Sequence, residues 1–208
     1  MHNRQKQIKF GDISTSESEL KDLLKAWTAI SIAFAVILGK SIFSADFYVK
    51  FIIASLTVGT GFLLHELGHK IMAQKYGCFA EFRSFDNMLV VAIAMSFFGF
   101  IFVAPGAVMI SGRINKRKNG IISAAGPIIN LVLAFAFLIL VSIHLPKLYK
   151  DAAYYGFFIN SWLALFNMMP FWLFDGKKIL KWNKFAYGSI VAVAFVFMLI
   201  QNFIKSPV

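Results

Sequence analysis

FIIASLTVGTGFLLHELGHKIMAQKYG, residues 51–77, is uncharged over its first 14 positions and then sets His65-Glu66-Leu67-Gly68-His69 into the same apolar helical pattern. An HExxH on a helix puts two imidazoles one turn apart on one face, where both can hold a single Zn²⁺. The glutamate between them is placed to take a proton from water. Two histidines and a glutamate inside an apolar span are costly, which marks such residues as a functional site by default. The bland alternative is a polar helix–helix contact.

The rest of the chain has the same character. Hydrophobic residues make up 59%, mean hydropathy is +0.70 and charged residues are 15%, against roughly 25% charged in soluble domains. Crossing a bilayer takes about 20 mostly apolar residues. The segments 26–43, 51–76, 119–143, 152–174 and 185–204 meet that requirement, and 87–112 is a further uncharged stretch. The expectation is an all-α membrane protein: a polytopic helical bundle of five to six transmembrane segments with a small membrane-associated β element. It is read as one membrane-embedded domain, 1–208, with a polar segment over 1–25, a catalytic core over 50–180 and no room for an appended soluble domain. The one cysteine, Cys78, excludes an internal disulfide, and the first apolar run is a full span rather than a cleavable leader.

A net charge of +11 does not point to nucleic acid here, because the basic residues sit in short loops between spans. With five crossings and the N-terminus inside, only Lys40, Lys50, Lys147, Lys150 and Lys205 of the 21 Lys and Arg fall outside. Making 87–112 a sixth crossing nearly equalises the two sides and orients nothing. Metal geometry votes the same way. His69 lies about 7 residues, or roughly 10 Å, from the far end of its helix, and a ligand after residue 170 reaches that depth only if 87–112 enters and returns. The expectation is a multi-pass protein of the cell membrane with its site toward the cytoplasm.

Shorter patterns fill in the rest. Ile8, Phe10 and Ile13 alternate as in a short strand, and Ser16-x-x-Glu19 reads as a capping box feeding the first helix. The zinc helix is expected to stop at Gly77. Residues 79–85 and 107–114 read as strands. Gly126-Pro127-x-x-Asn130 lies about two turns into a span, where Gly and Pro allow close backbone approach and a local break. Pro170 ends or bends the helix before it, and Asp175-Gly176 follows at the edge of an apolar run. A catalytic zinc needs a third protein ligand, and Asp175 leads the candidates. His2 lies in the polar N-terminus, His144 beside Pro146, Glu81 and Asp86 read as solvated loop charges, and Asp151 as a helix cap.

Three matches, in order, resemble the site-2 protease family of intramembrane zinc metalloproteases: His65-Glu66-Leu67-Gly68-His69, Gly126-Pro127-x-x-Asn130, and Asn167-x-x-Pro170-x-x-x-x-Asp175-Gly176. The resemblance covers about 50–180. It implies that His65, His69 and Asp175 hold one zinc, that Glu66 is general base and then acid, and that Asn167 engages the substrate backbone. The implied substrate is a transmembrane segment of another protein within the lipid bilayer. Phe174 and Lys177 depart from the Leu and second Gly often found there, and the compact prokaryotic members without PDZ or CBS domains are the best likeness. Two rivals are a membrane zinc hydrolase acting on interfacial or lipidated peptides and a catalytically silent zinc-binding protein. Glu66 between intact ligands argues against the second.

Overall fold

The computed structural model describes residues 7–11, 13–39, 42, 46–101 and 105–204. His2 and the first six residues lie outside them. Helices dominate. Four are long and apolar enough to cross a membrane: Glu17–Gly39, Asp46–Lys75, Lys116–Ser142 and Lys184–Phe203. The expected fifth segment is helix α6, Lys147–Asn167, which is long enough but less apolar. The chain divides into two compact units, one of residues 1–55 and 70–113, the other of 56–69 and 114–208.

In the first unit, strands β1 (Gln7–Phe10) and β2 (Ile13–Ser16) form an antiparallel hairpin. Its turn contains Gly11 at φ +59°, a left-handed conformation that glycine adopts without a Cβ clash. Helix α1 (Glu17–Gly39) starts at once. Ser16 Oγ accepts from the Glu19 N–H at 3.2 Å, the expected half of the capping box. The reciprocal half is not made. Glu19 is fully buried and instead takes Lys70 Nζ at 2.6 Å, Thr15 Oγ1 at 2.7 Å and the Phe82 N–H at 2.9 Å.

Helix α2 (Asp46–Ala54), five residues of π-helix (Ser55–Gly59) and helix α3 (Thr60–Lys75) form one stretch of 30 residues. At the start of the π-helical turn, Trp27 Nε1 donates to the Ser55 carbonyl at 3.2 Å. As expected, α3 stops at Gly77. That residue has φ +74°, its N–H reaches the Gln74 carbonyl at 2.8 Å, and the Cys78 N–H reaches that of Ala73 at 3.0 Å. This is the two-bond Schellman closure.

Strands β3 (Phe79–Ser84) and β4 (Gly106–Ser111) pair antiparallel, Phe79 opposite Ser111. Between them, helix α4 (Asp86–Ser96) has only 11 residues, about 16 Å of rise, too short for a crossing. The described residues of the stretch 87–112 hold this short helix and strand β4, which runs antiparallel to β3. One charge reading changes: Glu81 is buried and paired with Arg83 rather than solvated, whereas Asp86 is exposed as expected, with Lys25 Nζ at 2.8 Å. The carboxyl of Asp86 is held below its usual range by that hydrogen bond and one from Ser84.

The second unit packs helices α5 (Lys116–Ser142), α6, α7 (Asp175–Trp182) and α8 (Lys184–Ile200) with the first part of α3. Its core holds Leu131, Ala164, Met168, Ile179 and Ile190. Glycines set the closest approaches. A Cβ on Gly68 would strike Ile129 Cδ1, and one on Gly120 the Trp182 ring. Helix α5 continues through Pro127, which is buried, so the expected break is absent. Helix α6 ends at Asn167, ahead of Pro170, as the proline requires. Asp151 lies a turn inside α6, and Pro146 takes the cap position assigned to it.

Candidate metal centre

The helical period of α3 puts His65 and His69 on one face, and their rings stand 4.7 Å apart at 87°. Their Nε2 atoms are 3.0 Å apart. Asp175 Oδ2 lies 3.4 Å from His65 Nε2 and 3.0 Å from His69 Nε2. All three residues are buried. Two ligand atoms about 2.0 Å from a tetrahedral ion are separated by about 3.3 Å, so the observed spacings fit zinc. Among the described residues, these three make up the group of His, Cys, Asp and Glu side chains able to share one ion.

What turns the Nε2 atoms toward each other is a chain of hydrogen bonds with a fixed direction. Carbonyls only accept, so His69 Nδ1 donates to the Ile122 carbonyl at 2.8 Å, leaving its Nε2 as the lone-pair end. For His65 the chain starts at the Gly156 carbonyl, which takes Asn160 Nδ2 at 2.9 Å. Asn160 Oδ1 then accepts from Asn130 Nδ2 at 2.9 Å, and the same Nδ2 donates to the Gly61 carbonyl at 3.2 Å. That leaves Asn130 Oδ1 to accept from His65 Nδ1 at 2.5 Å. Asn130 and Asn160 are both fully buried. Such outer partners orient metal-binding imidazoles, and losing one typically costs 10–100-fold in metal affinity. Asn130→Ala is expected to weaken zinc binding by about that factor with helix content unchanged, as measured by competition with a chelating dye.

Gly126 has a steric role. A Cβ there would lie 2.5 Å from both Nε2 atoms, in the space an ion needs. Gly126→Ala is expected to lower zinc content sharply, read by elemental analysis of purified protein. Gly176 acts on the third ligand: a Cβ there would overlap the backbone of Met168, so only glycine lets the first turn of α7 sit against the end of α6 and present Asp175. Lys178 Nζ approaches the other oxygen, Asp175 Oδ1, at 3.3 Å.

Of the residues singled out in the sequence, His65, His69, Asp175, Gly126 and Asn130 converge here. Glu66 is buried between the two histidines in α3. Asn167 is not in the cluster: it sits in the last turn of α6, its Nδ2 on the Leu163 carbonyl at 2.9 Å. His144 is exposed beyond the end of α5. Sequence reading missed Asn160 and Gly61. The signal was present in Asn160, an amide in the middle of an apolar helix.

No protein-family model matches the chain, and no solved structure does. Curated relatives do. A protein of Methanocaldococcus jannaschii named "Putative zinc metalloprotease" is 42% identical over 156 residues, 74% of this chain and 82% of that protein. A second, named "Zinc metalloprotease", from the same organism is 29% identical over 154 residues, and the match spans 70% of this chain but only 38% of that relative. A Bacillus subtilis protein, also named "Putative zinc metalloprotease", is 28% identical over 149 residues, 61% of this chain and 66% of its own length. With 42% identity across most of the first relative, this chain belongs to the zinc metalloprotease family.

Proposed function

We propose that the protein is an intramembrane endopeptidase of the site-2 protease type, cutting peptide bonds in or near transmembrane segments of other membrane proteins. The observation that carries this reading is the location of His65 and His69 on a 30-residue apolar helical stretch, within ligand distance of Asp175. Bound by these three residues, one per chain, zinc would polarise a peptide carbonyl and acidify water. Glu66 takes the proton and returns it to the leaving amine. Asn160, Asn130 and the Ile122 carbonyl keep both imidazoles in the tautomer that faces the site. A transmembrane substrate shields its peptide bonds in helical hydrogen bonds and must unwind before attack. Asn167 serves as an anchor for that unwound backbone.

The deciding experiment is cleavage of a model transmembrane substrate by purified protein, with and without chelator. Cleavage of soluble peptides alone would favour the interfacial hydrolase, and no cleavage of either the silent zinc protein. Asn167→Ala is expected to keep zinc and lose more activity on a helical transmembrane substrate than on a short extended peptide. An equal loss on both moves Asn167 to the reacting carbonyl.

We also place the site toward the cytoplasmic side of the cell membrane, on the strength of the uneven basic loops. In a Cys78→Ser background, cysteines at 116 and 181 are expected to resist impermeant thiol reagents added to intact cells. Labelling of position 116 would overturn this orientation.

A further inference from the structure

Four ammonium groups meet at one end of the second unit with little opposing charge. Lys116 opens α5, and Lys177, Lys178 and Lys181 lie on α7. With Trp172 and Leu173 they line an open cavity of about 260 Å³. Lys177 Nζ reaches the Trp172 carbonyl at 3.4 Å, and Lys178 shares Asp175 with the two imidazoles. Among the described residues, no carboxylate pairs with Lys116 or Lys181. The remaining acids of this unit are Glu66, on α3, and Asp151, near the opposite end of α6. The cavity therefore carries an uncompensated positive charge.

Its rim is apolar. Trp172 is 66% exposed and Leu173 82%. Two helices apolar enough to cross a membrane begin beside it. Gly120 meets the Trp182 ring, which sets the first turn of α5 against the last turn of α7, and α8 starts two residues later at Lys184. Lysines, a tryptophan and a leucine at the mouth of two spans are the composition of a bilayer interface. Clustered lysines there attract anionic lipid.

We propose that this cavity binds the headgroup of an anionic phospholipid and so holds α7, the helix that presents Asp175, at the membrane surface. A free phosphate satisfies the lysines but leaves Trp172 and Leu173 in water; a phospholipid covers both the charge and the rim. The inference rests on the membrane-spanning helices and not on the peptidase reading.

The test uses the full chain in neutral detergent, titrated with short-chain phosphatidylglycerol and followed by native mass spectrometry. Phosphatidylcholine of the same chain length, inorganic phosphate and an acidic soluble peptide serve as competitors. The expected result is saturable binding of phosphatidylglycerol, resistant to all three. A surface lysine contributes about fivefold to such binding, so Lys116→Gln/Lys177→Gln/Lys181→Gln is expected to weaken it at least about tenfold. Lys147→Gln/Lys150→Gln, at the far end of α6, is expected to leave it unchanged. Where the triple variant loses helix content, Lys181→Gln alone is expected to lose about fivefold, with Lys181→Arg restoring it. Displacement by inorganic phosphate, displacement by the peptide, undiminished binding in the lysine variants, or an equal loss in the far-end variant would each overturn the proposal.

Discussion

Glu66→Gln is expected to abolish nearly all turnover, by at least about 10²-fold, while zinc content and helix content stay at the parent values. A positioned general base contributes about 10²–10⁴-fold, and glutamine preserves size and hydrogen bonding but cannot accept the proton. The histidines do not depend on Glu66 for orientation, since Asn130 and the Ile122 carbonyl hold them. Metal retention with lost activity therefore separates chemistry from structure. His65→Ala and Asp175→Ala should instead lose zinc along with activity, each removing one of three ligands. Parent-level cleavage by Glu66→Gln would end the metalloprotease mechanism, and full zinc in Asp175→Ala would end the ligand assignment.

Glu19→Ala is expected to be the most destabilising single change in the first unit, at about 3–5 kcal/mol. Glu19 and Lys70 are 0% and 2% exposed, and their pair is closed at 2.6 Å. Removing the carboxylate strands a buried ammonium, the Phe82 N–H and the Thr15 hydroxyl together. Replacing both partners by apolar residues, Glu19→Leu/Lys70→Met, is expected to cost less than Glu19→Ala, because no charge is left without a partner. Denaturant unfolding in detergent measures both. A change of under about 0.5 kcal/mol for Glu19→Ala, the range of ordinary surface substitutions, would show that water reaches this pair.

Much of the site was legible because its signals are local. The spacing of His65 and His69 acts through one helical turn, and the stop at Gly77 depends on a single left-handed residue. Both survive any tertiary arrangement. Asp175 was legible by elimination among few acids in an apolar chain. The return of 87–112 was read from charge bias and depth, and of that segment the described residues hold a helix of only 11 residues and a strand.

Two residues went unread because their partners are distant in sequence, and a third despite a near one. Ser16-x-x-Glu19 reads as a capping box, yet the Glu19 carboxylate is drawn to Lys70 and Phe82, 51 and 63 residues away, because a buried ammonium left without a counter-charge costs more than a missing cap hydrogen bond. Glu81 reads as solvated until Arg83 is seen beside it in the same strand. Asn160 looks like one polar residue in a helix until it meets Asn130. By itself, then, the sequence determined that two imidazoles share a helix face in an apolar chain with one well-placed acid to join them. Which nitrogens face the site, why Gly126 has no side chain, and how Gly176 brings Asp175 into range were decided by tertiary packing. Each is a contact across more than 50 residues or between helix ends, which no local pattern encodes.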